Sequence, residues 1–326
     1  MLELLKKNIV DKSREVIIKT NYCFGNFKNE VIWVISDGRS GSTWLSNLIN
    51  YEKRFRYMFE PFHPHFINEM KSYNYFPYLN PNKDYAEFYN FAKKVFSGEF
   101  VHSRVDSGNH NLLFKGLLIK DVFSNLFAKW VDVRFPKVKK ILLLRHPCAV
   151  AYSKEKLRHW KWMTEPVEFL ANRELLNDYL TPFIDVIKSA KTFFEKQIVI
   201  WAVVNYVPLR QFKEGHIHLV FYENIYSDFE SEINKLFAYV FDKQPNKQAN
   251  FSLNDKLFYQ FNKPSKVSRK DKTASGSENV LENWRKHVGS NDIKRMLEIL
   301  KEFGLDKIYS EDTMPNAEAA CHFINM

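Results

Sequence analysis

Val31-Ile32-Trp33-Val34-Ile35-Ser36-Asp37-Gly38-Arg39-Ser40-Gly41-Ser42-Thr43-Trp44-Leu45 is the stretch that decides the fold. Its first five residues form a short apolar run of the kind buried on both faces of a sheet. Ser36-Asp37-Gly38 ends that run, and beyond the loop Trp44, Leu45, Leu48 and Ile49 share one helical face. The reading is strand, tight loop, helix. The first N–H groups of such a helix have no intrahelical partner and its dipole favours an anion, so the loop is placed to cradle one. Ser42 and Thr43 offer hydroxyls, Arg39 a fixed planar cation, and the glycines a tight turn and close approach. An ordinary Ser/Thr helix cap is the competing reading. The chain has only ten glycines, and Gly38 and Gly41 fall within four residues, which points to a backbone requirement.

Working outward, Leu112–Ile119 and Ile141–Leu144 read as further buried strands, and Ile217–Phe221 as another. Helical spacing appears around 121–133, along 165–212, at Ile233, Leu236, Phe237 and Val240, and at Ile293, Met296, Leu297 and Leu300, with Gly304 as a C-cap. Strands alternating with helices predict an α/β fold, a P-loop-like parallel β-sheet flanked by helices on both faces, in a single domain with insertions. Residues 1–30 read as an N-terminal extension and 31–326 as the main domain. Within it, 51–110 is an aromatic, Asn- and Pro-rich insertion of loops and short helices suited to shaping a substrate site.

Composition narrows the function classes. The 326 residues are 45% hydrophobic and 26% charged, which excludes wholesale disorder. No run of about 18 uncharged apolar residues predicts a membrane span. The first residues mix acids and bases without the apolar core of a signal peptide. Cys23, Cys148 and Cys321 are far apart, which argues against a disulfide framework or a CxxC metal site, so a cytoplasmic location is expected. The 48 Lys+Arg exceed the 38 Asp+Glu by ten, which calls for an anionic partner. Nucleic acid is disfavoured, because no RRM, helix-turn-helix or zinc pattern is visible.

A Walker A loop fails here: Ser42 follows Gly41 where a lysine is required, so a nucleotide or sugar kinase is the weaker reading. A second anion element lies at Leu142-Leu143-Leu144-Arg145-His146-Pro147, with Ser153 eight residues after Arg145. Arg145 at a strand end can fork onto a phosphate, and Ser153 lies two helical turns further on. A structural ion pair for Arg145 and a solvated Ser153 are the alternatives. His63 and His65 in HPH lack a third ligand and read as loop packing or substrate contacts, so no metal is expected.

Ser36–Leu45, SDGRSGSTWL, resembles the 5′-phosphosulfate-binding loop of sulfotransferases that use 3′-phosphoadenosine 5′-phosphosulfate (PAPS). Arg145 to Ser153 resembles their 3′-phosphate site in order and spacing, and Tyr222-Glu223-Asn224 is similar to their "YED" strand end. The resemblance, in style closest to carbohydrate and tyrosyl-protein sulfotransferases, implies sulfuryl transfer from PAPS to an acceptor hydroxyl, with a carbohydrate hydroxyl favoured. It implies cofactor contacts from Arg39, Ser40, Gly41, Ser42, Thr43, Arg145 and Ser153. It implies a place for Tyr222 beside the adenine, although a boundary aromatic under the helix is an equal reading. Lys263–Lys272 (KPSKVSRKDK), followed by Asn283-Trp284-Arg285-Lys286, resembles the family's late nucleotide-closing loop but lacks its RKG triplet. Which of Arg269, Lys270 or Lys272 meets the nucleotide therefore stays open. Glu60, in Met58-Phe59-Glu60-Pro61-Phe62, resembles the family's carboxylate base, with a surface Glu before a proline turn as the alternative. Its aromatic surroundings predict a pKa raised by desolvation. Lys120 is either a catalytic cation or a structural partner for Asp121 or another acid. A non-catalytic polyanion binder is the remaining alternative.

Overall fold

The computed structural model describes residues 2–28, 30–160, 163–241, 255–263 and 280–325. Five strands, β1 (Val31–Ser36), β2 (Phe55–Phe59), β3 (Gly116–Asp121), β4 (Lys139–Leu144) and β5 (His218–Phe221), form one parallel sheet in the order β2-β3-β1-β4-β5. The strand alternation builds two cores. Ile32, Val34, Ile141 and Leu143 face one side, against Trp44, Leu45 and Leu48 of helix α2 (Ser42–Ile49). Trp33, Ile35, Leu142 and Leu144 face the other, where the larger core lies.

Helices α1 (Leu2–Cys23), α3 (Ala86–Ser97), α4 (Ala128–Arg134) and α5 (Pro147–Glu155) follow in chain order, with α2 between β1 and β2. They are succeeded by α6 (Phe193–Gln211), α7 (Phe229–Val240) and α8 (Ser290–Glu302). Helix α6 is buried almost all round from Ile198 to Val204, and Thr192 caps it by accepting from the Glu195 N–H at 3.1 Å. Helix α1 and the turn after it join the larger core through Ile18 and Phe27.

Three sequence readings are corrected. The aromatic segment 51–110 is not only loops and helices: it contributes the edge strand β2, whose five residues FRYMF carry an arginine that masks the strand pattern. Strand β3 starts at Gly116 rather than Leu112, since Leu112 and Leu113 are 71% and 72% exposed. The helical pattern over 165–212 is continuous only from Phe193; residues 166–189 break into short turns at Pro166, Thr181 and Pro182. Gly304 does follow α8 in the left-handed conformation, φ 69°.

Candidate functional site

In a parallel sheet the loops after neighbouring strands meet at the carboxyl edge. Here β1, β3 and β4 deliver residues 37–43, Lys120 and Arg145 to that edge, with β2 adding Glu60. The β1–α2 loop turns through two left-handed residues, Arg39 at φ 74° and Gly41 at φ 96°. Gly41 has no substitute: a Cβ there would lie 2.6 Å from the Tyr222 ring. Gly38, its partner in the sequence argument, does not take a positive φ; the second left-handed turn falls on Arg39 instead. A non-glycine residue so placed stores on the order of 1–3 kcal/mol.

The loop and the β4–α5 element form one unit. Arg39 Nε donates to Ser153 Oγ at 2.9 Å, and Arg145 Nη1 donates to the Arg39 carbonyl at 3.1 Å. The Arg145 guanidinium lies 4.3 Å over the Tyr222 ring, and Trp44 packs against the same ring at 5.1 Å. Ser40 Oγ is buried and has no hydrogen-bond partner among the described residues. Gly41 caps α2 without any side-chain bond to its first N–H groups. A buried orphan hydroxyl, an uncapped helix start and two guanidinium groups fit a group rich in anionic oxygens.

Sequence reasoning missed the struts beneath this cradle. Lys154 Nζ donates to both carboxylate oxygens of Asp37 at 2.7 Å, a buried pair that ties α5 to the loop. Glu223, also buried, accepts from the His146 N–H at 2.8 Å and from Tyr309 Oη at 2.9 Å. Burial pushes its carboxyl up. His146 stacks on Trp284 at 4.3 Å, and burial pushes its pKa down to about 3, so a neutral ring caps α5. The motifs HP, YEN and NWRK were visible in the sequence; their mutual contact was not. Arg269, Lys270 and Lys272 lie outside the described residues.

Glu60 follows β2 at φ 52°, and its N–H donates to the Lys120 carbonyl at 2.7 Å. Lys120 Nζ reaches Glu60 Oε1 at 2.6 Å and Arg104 Nη2 reaches Oε2 at 2.7 Å. Lys120's acid is therefore Glu60. Asp121 instead accepts from the backbone N–H groups of Phe62 and Phe123 at 2.9 and 3.0 Å, and burial raises it to about 6. The expected rise in the Glu60 pKa is corrected: burial pushes it up, but Lys120 and Arg104 together pull it below its ordinary value. His63 packs on Phe66 and Phe123 and is pushed down to about 4 by burial, and its Nδ1 accepts from the His65 N–H at 3.2 Å. Among the described residues, no three His, Cys, Asp or Glu side chains are grouped to hold a metal. No helix among the described residues is long and apolar enough to cross a membrane.

A family model for the sulfotransferase domain matches residues 29–308. Comparison with curated proteins gives no match. Solved structures similar in fold include the sulfotransferase domain from the curacin biosynthetic pathway, 15% identical, covering 83% of this chain and 97% of that one with a TM-score of 0.43. The sulfotransferase domain of the Synechococcus PCC 7002 olefin synthase is 16% identical, covering 84% and 94%, TM-score 0.42. Retinol dehydratase in complex with androsterone and the inactive cofactor PAP is 14% identical, covering 83% and 80%, TM-score 0.35. With the family match running from just before β1 to just after α8, across both anion elements, the chain belongs to the sulfotransferase family and is a sulfotransferase.

Proposed function

We propose that the enzyme transfers a sulfuryl group from PAPS to an acceptor hydroxyl, and that a carbohydrate hydroxyl is the acceptor class to test first. The observation that carries the donor assignment is the joining of the two anion elements, through Arg39–Ser153 and Arg145–Arg39, into one cradle. Residues 39–43 would hold the 5′-phosphosulfate, Arg145 and Ser153 the 3′-phosphate, and Tyr222 with Trp44 the apolar wall toward the base. PAPS supplies an activated sulfuryl whose S–O bond to the 5′-phosphate breaks as the acceptor oxygen bonds to sulfur.

The chain's task is positioning and charge. Arg39 and the first N–H groups of α2 face the negative charge that builds on the departing phosphate. Glu60, held ionised by Lys120 and Arg104, receives the acceptor proton. Its depressed basicity suits a displacement in which proton transfer follows bond formation to sulfur. Lys120, bound to Glu60 Oε1, would neutralise charge on the transferred group. The carbohydrate preference rests on the Glu60-Pro61 pair, which resembles the carbohydrate branch of the family.

Thermal unfolding with 3′,5′-adenosine bisphosphate tests the donor site. At a hundredfold excess over Kd the fold gains about 2.7 kcal/mol, and no rise in Tm would refute the assignment. A labelled-sulfate transfer screen over glycans, phenols and lipids tests the acceptor; turnover confined to phenols or lipids would replace the carbohydrate reading.

A further inference from the structure

We propose that Arg104 is a positioning residue for Glu60 and that helix α1, outside the matched family region, braces the loop that delivers it. This rests on the reading of Glu60 as the proton acceptor. Strand β2 lies at the sheet edge, where an unpaired row of backbone groups has to be covered. The segment 102–109 covers it. Asn109 accepts from the Tyr57 N–H at 2.8 Å and donates to its carbonyl at 2.9 Å, and the Val105 carbonyl accepts from the Phe59 N–H at 2.9 Å. Arg56, fully buried, takes both oxygens of Asp106 at 2.8 and 3.0 Å.

Arg104 projects from this covering segment onto Glu60. Its guanidinium lies over the rings of Phe59 and Phe66, at 5.0 and 4.4 Å, and reaches Oε2 while Lys120 takes Oε1. Each carboxylate oxygen thus has its own cation, which fixes the plane of a carboxylate standing on a left-handed backbone. The segment is tied in turn to α1 and its flank. Arg14 Nε donates to the Asn109 carbonyl at 3.1 Å, and Arg14 is held by Asp11 at 2.7 Å. Asn21 donates to the Leu112 carbonyl at 2.8 Å and accepts from the Phe114 N–H at 3.0 Å. The route Arg14–Asn109–Arg104–Glu60 is a continuous chain of polar contacts and short backbone.

The titratable groups around Glu60 are Lys120 and Asp121 from β3, Arg104 from the covering segment, His63 from its own turn and Tyr57 from β2. Of these, Lys120 and Arg104 pull its pKa down. A carboxyl-carbon NMR titration of the full chain, with the Glu60 signal identified by Glu60→Gln, reads the coupling without needing an acceptor. In Arg104→Gln the Glu60 titration should move to higher pH; Arg104→Lys should restore most of that displacement, and also guards against a folding failure of the glutamine variant. Arg14→Gln should give a smaller displacement in the same direction. With an acceptor in hand, Arg104→Gln should lower kcat about tenfold or more with the KM for PAPS nearly unchanged. An unmoved titration in Arg104→Gln overturns the proposal, and an unmoved one in Arg14→Gln overturns the part given to α1. If the bisphosphate nucleotide fails to stabilise the parent chain, the donor reading fails instead, while the titration still decides the role of Arg104.

Discussion

The cradle at residues 37–43 and the corner around Glu60 follow β1 and β2, on either side of β3 at the same edge of the sheet, and their polar groups are disposed in opposite ways. In the cradle, Ser40 Oγ is buried without a partner among the described residues, and α2 begins with no side-chain cap. At the corner, both oxygens of Glu60 are already engaged by cations. One half is built to receive charge from outside; the other holds its own charge neutralised. The cradle's satisfied groups lie beneath it, in the buried Asp37–Lys154 pair and the Glu223–His146–Tyr309 set. Under the proposed function, the difference fits a donor that brings several negative charges and an acceptor hydroxyl that brings none.

The contrast can be broken at either half. The largest effect is expected from Glu60→Gln: turnover should fall about 10²–10⁴-fold in a sulfate-transfer assay while bisphosphate nucleotide binding persists. Full activity in that variant would remove Glu60 as the base.

Lys154→Met should cost about 3–5 kcal/mol in urea unfolding, because it strands the Asp37 carboxylate in the interior. The double variant Asp37→Leu/Lys154→Met should recover most of that loss. If it does not, the pair does more for the loop than neutralise charge.

Asp121 sharpens the Glu60 corner through pH. Its folded pKa is raised to about 6, so the fold holds its proton more tightly than the unfolded chain does. The stability this gives is present at low pH and is lost as the pH climbs from about 4 to about 6. A shift of that size corresponds to about 3 kcal/mol. Relative to the parent, Asp121→Asn should therefore gain stability between pH 4 and pH 7 in urea unfolding. A pH-independent difference between the two would contradict the raised value.

The smallest effect belongs to the cradle wall. Tyr222→Leu removes the face under Arg145 and should weaken bisphosphate nucleotide binding by about 1–2 kcal/mol in calorimetry, leaving the Glu60 titration in place. An unchanged Kd would make Tyr222 a packing residue under α2.

Much of the cradle was legible because it is local. A buried apolar run, a turn and an apolar helical stripe identify β1, the loop and α2 within fifteen residues, and Arg145-His146-Pro147 repeats the logic after β4. The corner around Glu60 was legible only at Glu60 itself. Arg104, 44 residues along the chain in a segment without periodicity, carries no local signature. Strand β2 was hidden for a related reason: its Arg56 is neutralised by Asp106, fifty residues away, so no period-2 pattern of polar and apolar residues survives. Desolvation alone predicted the wrong direction for Glu60, because the two cations that reverse it arrive from different elements.

By itself, then, the sequence determined the parallel α/β frame and the order of the turns after β1 and β4, since strand burial, helix periodicity and loop chemistry act over a few neighbouring residues. Tertiary structure alone decided that Arg39 and not Gly38 takes the left-handed turn, that Ser153 and Arg145 close on the same loop, and that Glu60 is an ionised carboxylate between Lys120 and Arg104. Those outcomes depend on charges and backbone groups brought within hydrogen-bond distance, 2.6 to 3.1 Å, by the sheet order β2-β3-β1-β4-β5, and that proximity has no counterpart in linear spacing.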